Sequence, residues 1–277
     1  MATDILTRNM VRQAGNGTRP MLFAHGFGCN QDMWRYVAPS FEDDFRTILF
    51  DYVGAGGSNL ESYSPRRYAA LEGYARDILD VCGALELTDV TLVAHSVSCV
   101  IGILAALEEP ALFSRLVLIC PSPRYLNDAP DYVGGFEPVD VDGLLDMMDK
   151  NYIGWATFLA PVVMGPQPSS VPAEELEASF CSTDPTIARQ FAEVTFRSDN
   201  RDDLAGVTVP TLILQCADDA IAPASVGQFV HGEIRGSVLH EMTATGHCPH
   251  MSHPGETIEA IRSFLRSTDG SSPSNAS

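Results

Sequence analysis

Ser96 stands in the run VTLVAHSVSCVIGILAAL, where an apolar strand pattern gives way to an apolar helix pattern. A serine on such a sharp turn has a strained backbone and an exposed hydroxyl, and its neighbours at minus two and plus two must be small. The usual pattern is G-x-S-x-G. Here it reads Ala94-His95-Ser96-Val97-Ser98, with small residues in both glycine positions. A hydroxyl held this way becomes a nucleophile for acyl transfer once a base takes its proton. The plainer reading is a serine that only caps the helix; the strand–turn–helix setting favours the nucleophile.

A base and an acid follow in the chain. Gly246-His247-Cys248-Pro249-His250 comes shortly after the last strand pattern. A histidine on that loop can reach back over the sheet to Ser96, acting as base and then as acid. Between them, Gln215-Cys216-Ala217-Asp218-Asp219-Ala220-Ile221-Ala222-Pro223 follows the strand pattern VPTLILQ. An acid there holds the imidazole in the productive tautomer, and Asp218 and Asp219 both qualify by position. The order serine, aspartate, histidine, each at a strand end, is that of an α/β-hydrolase fold.

His25-Gly26-Phe27-Gly28 follows the strand pattern PMLFA. This turn can aim the N–H of Phe27 at the site, where it joins the N–H of Val97 to bind an oxyanion. Each such donor is worth about 3–4 kcal/mol of transition-state stabilisation. His25 itself reads as a structural histidine that bonds the loop. His247, His250 and His253 form H-x2-H-x2-H, a spacing open to a metal. No Cys/His partner cluster stands elsewhere in the sequence, so neither metal nor cofactor is expected.

These residues need a scaffold that ends several strands at one edge. Candidate strands are 20–24, 47–51, 90–94, 115–120, 209–215 and 237–242, with VRQAG (11–15) as an early edge strand. Helical patterns such as 71–86 and 98–109 lie between them. The alternation predicts a mainly parallel sheet with helices on both faces. It breaks between 122 and 206, which holds helical patterns at 142–150, 173–180 and 185–196 and no convincing strand. Aromatic residues crowd that stretch: Tyr125, Tyr132, Phe136, Tyr152, Trp155, Phe158 and Phe196. It is far too long for one crossover and reads as a helical lid. The expected division is a core of 1–121 and 207–266, a lid of 122–206, and a disordered tail of 267–277, whose small polar residues have little to bury.

Composition narrows the function classes. The net charge of −19 repels phosphate backbones and anionic lipids, so neither nucleic acid nor membrane is expected as a partner. The first twenty residues hold no apolar run fit for a signal peptide and no stretch has eighteen apolar residues in a row, so the expected location is cytoplasmic. Seven scattered cysteines fit a reducing compartment better than a disulfide framework. Lys150 is the lone lysine.

The runs HGFGCNQDMW, ILFDYVGAGGS, HSVS and GHCPHMSHP resemble those of the RsbQ-like family of bacterial stress-response regulators. So do the lid phrases YLNDAPDYVGGFEP, NYIGWATFLAP and SFCSTDPTIARQFAEVTF. The resemblance runs from about residue 5 to residue 266, and that family is itself similar to the plant karrikin and strigolactone receptors. It implies an α/β-hydrolase core with a four-helix cap. It also implies a triad of Ser96, His247 and Asp219, since the family's acid stands four residues before the loop proline. The implied pocket is Phe27, Val97, Tyr125, Phe136, Trp155, Leu159, Phe196 and Ile221. The implied partner is a sensor-bearing serine phosphatase that activates a general stress sigma factor. The sequence departs from the family at Ala94, where the family has glycine.

Two functions remain. One is a serine hydrolase acting on a small apolar ester or lactone-like molecule, with room for slow turnover, as a regulator of that phosphatase. The other is a plain metabolic esterase, lactonase or carbon–carbon bond hydrolase with no signalling partner. Haloalkane dehalogenases and epoxide hydrolases of this fold would carry aspartate at position 96.

Overall fold

The computed structural model describes residues 4–167 and 169–269. The strands are β1 (Arg12–Ala14), β2 (Arg19–Ala24), β3 (Phe45–Leu49), β4 (Val90–His95), β5 (Phe113–Ile119), β6 (Thr211–Asp218) and β7 (Val238–Thr245). The helices are α1 (Ile5–Arg8), α2 (Leu71–Ala84), α3 (Val97–Glu108), α4 (Pro138–Lys150), α5 (Tyr152–Met164), α6 (Val171–Ser182), α7 (Pro185–Arg197), α8 (Ala224–Glu233), α9 (Pro249–Ser252) and α10 (Pro254–Asp269).

The strands form one sheet in the order β1-β3-β2-β4-β5-β6-β7, parallel throughout except for β1, which pairs antiparallel with β3. This is the α/β-hydrolase fold. Alternate side chains of the central strands enter two separate cores. Phe23, Val93, Val117 and Leu214 face one side, while Leu22, Leu92, Leu118 and Ile213 face the other. A strand buried on both faces reads as an unbroken apolar run, which is why these four were legible in the sequence. The second core takes α2, α3, α8 and Phe191 of α7; α10 and most of the cap pack with the first.

The four helices α4–α7 lie between β5 and β6. Two start on strong signals. Asp184 accepts from the N–H groups of Thr186 and Ile187 with Pro185 in the first turn of α7. Asn151 caps α5 through the N–H of Gly154. Pattern reading missed α5 because its outer face is also apolar: Ile153, Phe158 and Val162 are exposed, so no polar stripe marks the helical period. The lid aromatics are otherwise covered, with only Phe158 exposed.

Three residues expected in the tail are helical. Residues 267–269 form the last turn of α10, because Asp269 pairs with Arg19 and Arg115 and Thr268 accepts from Arg115. The rest of the expected tail, 270–277, lies outside the described residues. No described helix is long and apolar enough to cross a membrane, and all seven cysteines are free.

Candidate active site

Ser96 sits between β4 and α3 with φ +58° and ψ −128°. That left-handed backbone is what a strand-to-helix elbow imposes on a residue with a Cβ. The side chain does not cap the helix. Its Oγ lies 2.7 Å from His247 Nε2 and 3.3 Å from the Tyr125 hydroxyl. Ala94, where glycine is usual, is fully buried beside α3, and even a Cβ at Gly102 would stand at ordinary contact, 3.9 Å, from its methyl. Ser98 does more than stay small. Its hydroxyl donates to the carbonyl of His25 and lies 2.9 Å from the Tyr52 hydroxyl, bonding the elbow to the 25–28 loop.

His247 Nδ1 lies 2.7 Å from Asp219 Oδ2. The other carboxylate oxygen accepts from the N–H groups of Ile221 at 2.8 Å and Ala222 at 3.0 Å. Burial alone would raise the Asp219 pKa. The facing His247, its hydrogen bond and the two N–H donors outweigh that and hold the carboxyl below its usual range. Asp218 is exposed, and its carbonyl accepts from the N–H of Gly246. Of the two candidates, only Asp219 faces the imidazole. The histidine loop also touches the cap: His247 N–H donates to Val163 of α5 at 2.7 Å.

The 25–28 loop is pressed against the elbow. A Cβ at Gly26 would stand 3.3 Å from the Ser96 Cβ and 2.5 Å from His95 Nδ1, so only glycine fits there. The N–H groups of Phe27 and Val97 have no acceptor among the described residues. His25 is fully buried, with Nδ1 beside Gly26 O and Nε2 accepting from Tyr52 N–H. Burial lowers its pKa. It holds the loop and does not face Ser96.

Above Ser96 is a small, mostly apolar cavity of about 30 Å³. Of the implied pocket, Phe27, Tyr125, Leu159, Phe196 and Ile221 line it. Three expectations need correction. Val97 is buried at the start of α3, outside the lining. Trp155 and Phe136 stand one layer back. Trp155 packs on Phe27 and Phe180, with ring centroids 6.0 and 5.1 Å apart, and Phe136 packs on Phe196 at 5.8 Å. Phe180 and Leu176 of α6 take the inner places. Sequence reasoning missed both, and also Val163 and Thr195. Burial keeps the Tyr125 phenol protonated, raising its pKa.

His253 bonds Ser252 and is remote from the triad bonds. His250 is fully buried between the rings of Trp34 and His95. The absence of Cys/His partners, on which the metal was discounted, does not hold in space: His95, Cys248 and His250 bring ligand atoms within 4.8 Å of one another. A second such group, Cys120, Asp219 and His247, shares two residues already bonded to each other.

An elbow serine, a histidine and an aspartate joined by two 2.7 Å contacts at the ends of parallel strands are the hallmark of one family, and the family model for the alpha/beta hydrolase family matches residues 21–260. The chain belongs to the alpha/beta hydrolase family. It is 38% identical to "Strigolactone esterase RMS3" of Pisum sativum, over 92% of this chain and 95% of that protein. It is 37% identical to "Karrikin insensitive 2 receptor CA" of Petunia hybrida, over 91% of this chain and 93% of that one. The solved structure of a hydrolase from Oleispira antarctica superposes with a TM-score of 0.93 and 46% identity, covering 95% of this hydrolase and 96% of that chain.

Proposed function

We propose that this hydrolase cleaves a small apolar ester or lactone through Ser96, His247 and Asp219, and that the reaction serves a signalling role. The observation that carries the chemistry is the unbroken line from Asp219 through His247 to Ser96 beneath a closed apolar cavity. Ser96 Oγ attacks the carbonyl carbon while His247 Nε2 takes its proton. Asp219 keeps Nδ1–H in place and balances the imidazolium. The N–H groups of Phe27 and Val97 receive the oxyanion. Collapse expels the alkoxide, which leaves with the proton from His247. Water, deprotonated by the same nitrogen, then releases the acyl group from Ser96.

The signalling half rests on similarity. Curated relatives bear receptor and strigolactone esterase names, and the sequence resembles the RsbQ-like regulators throughout its lid. A cap that must move to admit ligand offers two states, and a partner favoured by one of them reads the ligand. The partner by this resemblance is a sensor-bearing serine phosphatase. Plain turnover with no partner is the second reading. The complete triad serves both readings and separates them from a pure binding module, which needs neither base nor acid.

Ser96→Ala tests the chemistry. It is expected to abolish turnover of short 4-nitrophenyl esters and to remove the acyl-enzyme mass seen in the wild type, with a rate loss of several powers of ten. Turnover near wild type would overturn the assignment. Co-purification with the phosphatase of the same genome tests the role. No complex, together with fast turnover of a metabolic ester, would leave the plain hydrolase.

A further inference from the structure

Thr195 lies near the end of α7, 1% exposed, and lines the same cavity as Ser96. Its Oγ1 has no hydrogen-bond partner among the described residues. A helical threonine ordinarily bonds the carbonyl four residues back. Thr157 of α5 does this, donating to Ile153 at 3.1 Å; Thr195 does not. A buried hydroxyl without a partner is costly, and this one sits where a ligand would arrive.

Most other side-chain polar groups of the cavity are engaged, though His95 Nδ1, like Thr195 Oγ1, has no partner among the described residues. Tyr125 OH and His247 are bonded to Ser96, and His95 Nε2 is bonded to the His247 carbonyl. Most of the remaining lining is apolar: Phe27, Leu159, Val163, Leu176, Phe180 and Phe196. Thr195 Oγ1 is the free hydroxyl that the cap presents to this cavity. A polar group in such a wall fixes orientation and selects among ligands of equal size, because a ligand without the matching atom leaves it unpaired.

We propose that Thr195 determines specificity: its hydroxyl receives a second polar atom of the substrate, so the preferred substrate is a compact ester or lactone with a hydrogen-bonding atom beyond the scissile group. This rests on the reading that the Ser96 cavity is the substrate site. Ser96 belongs to the core and Thr195 to the cap, so such a ligand bonds both and favours the closed cap. A ligand without the second atom is held to the cap by apolar contact alone.

The test uses three 4-nitrophenyl esters of equal size: pentanoate, ethoxyacetate and 3-methoxypropanoate. Each ether replaces one methylene by an acceptor oxygen, at a different position. Comparing kcat/KM ratios to pentanoate within each variant cancels the intrinsic reactivity of the esters. Thr195→Val is expected to lower the ratio for at least one ether by about five- to tenfold, chiefly through KM. Thr195→Ser, which keeps the hydroxyl, is expected to retain the wild-type ratios, and its behaviour separates hydroxyl loss from misfolding. Ratios for both ethers that stay within about twofold in Thr195→Val would overturn the proposal. Loss of all turnover in Ser96→Ala, with unchanged ratios in Thr195→Val, would sink this inference and leave the triad standing. Persistent turnover in Ser96→Ala would sink the triad instead.

Discussion

The backbone N–H of His247 donates to the carbonyl of Val163 at 2.7 Å. The base of the triad is thus tied to the C-terminal turn of a cap helix, whose last carbonyls lack partners inside the helix. Gly246 makes this approach possible. It has φ +80°, and a Cβ there would stand 2.0 Å from the carbonyl oxygen of Met164. Gly246→Ala is therefore expected to push the loop away from α5. A displacement on the order of 1 Å at the base costs about 100-fold in kcat. Steady-state kinetics would show a fall in kcat larger than the change in KM. A kcat close to wild type would mean that the contact does not position the base.

Asp219 and Asp218 are adjacent but face opposite ways, one towards the imidazole and one towards solvent. Asp219→Asn would present an amide to Nδ1 and favour the wrong tautomer, a defect of about 10⁴-fold in kcat where it has been measured in another serine enzyme. Asp218→Asn keeps the carbonyl that Gly246 uses and is expected to stay near wild type. Equal losses in the two purified variants would refute the choice of acid.

Three histidines are buried as neutral rings. Burial lowers the pKa of His25, of His95 to about 3, and of His250 well below the ordinary value. In the unfolded chain each titrates near pH 6.5. Above that value neither state protonates these rings, and the full stability is present. As pH falls below about 6.5, the unfolded state binds protons that the folded state refuses. Stability then drops by about 1.4 kcal/mol per pH unit for each histidine. Asp219, held low, adds its loss only at still lower pH. The urea midpoint is expected to be clearly lower at pH 5.5 than at pH 7.5, with a shallower slope in His250→Phe. A midpoint independent of pH in this range would contradict neutral burial.

The chemistry was legible because it is local. Ser96 and the Asp218-Asp219 pair follow strands that read as apolar runs, and His247 follows β7, a weaker signal of mixed polar and apolar residues. The cavity was only half legible, because its wall is built from side chains on separate helices. Nothing in the sequence says that Phe180 reaches past Trp155, or that Thr195 forgoes its helical bond. Aromatics on neighbouring helices differ in depth by how those helices cross, which no periodicity records. The His95–Cys248–His250 contact was hidden for the same reason: His95 joins residues that are distant in the chain.

The cavity over Ser96 is small, about 30 Å³, and the cap helices form much of its wall. The cap must therefore give way before substrate enters, and it can close again around a ligand that bonds both sides. A ligand binds the fraction of molecules whose cap is open, and its apparent Kd is the intrinsic value divided by that fraction. Changes on the outer surface of α5, far from the triad, will weaken or tighten binding by altering this fraction alone. A tight ligand need not fit the resting cavity well; it need only find the open state populated.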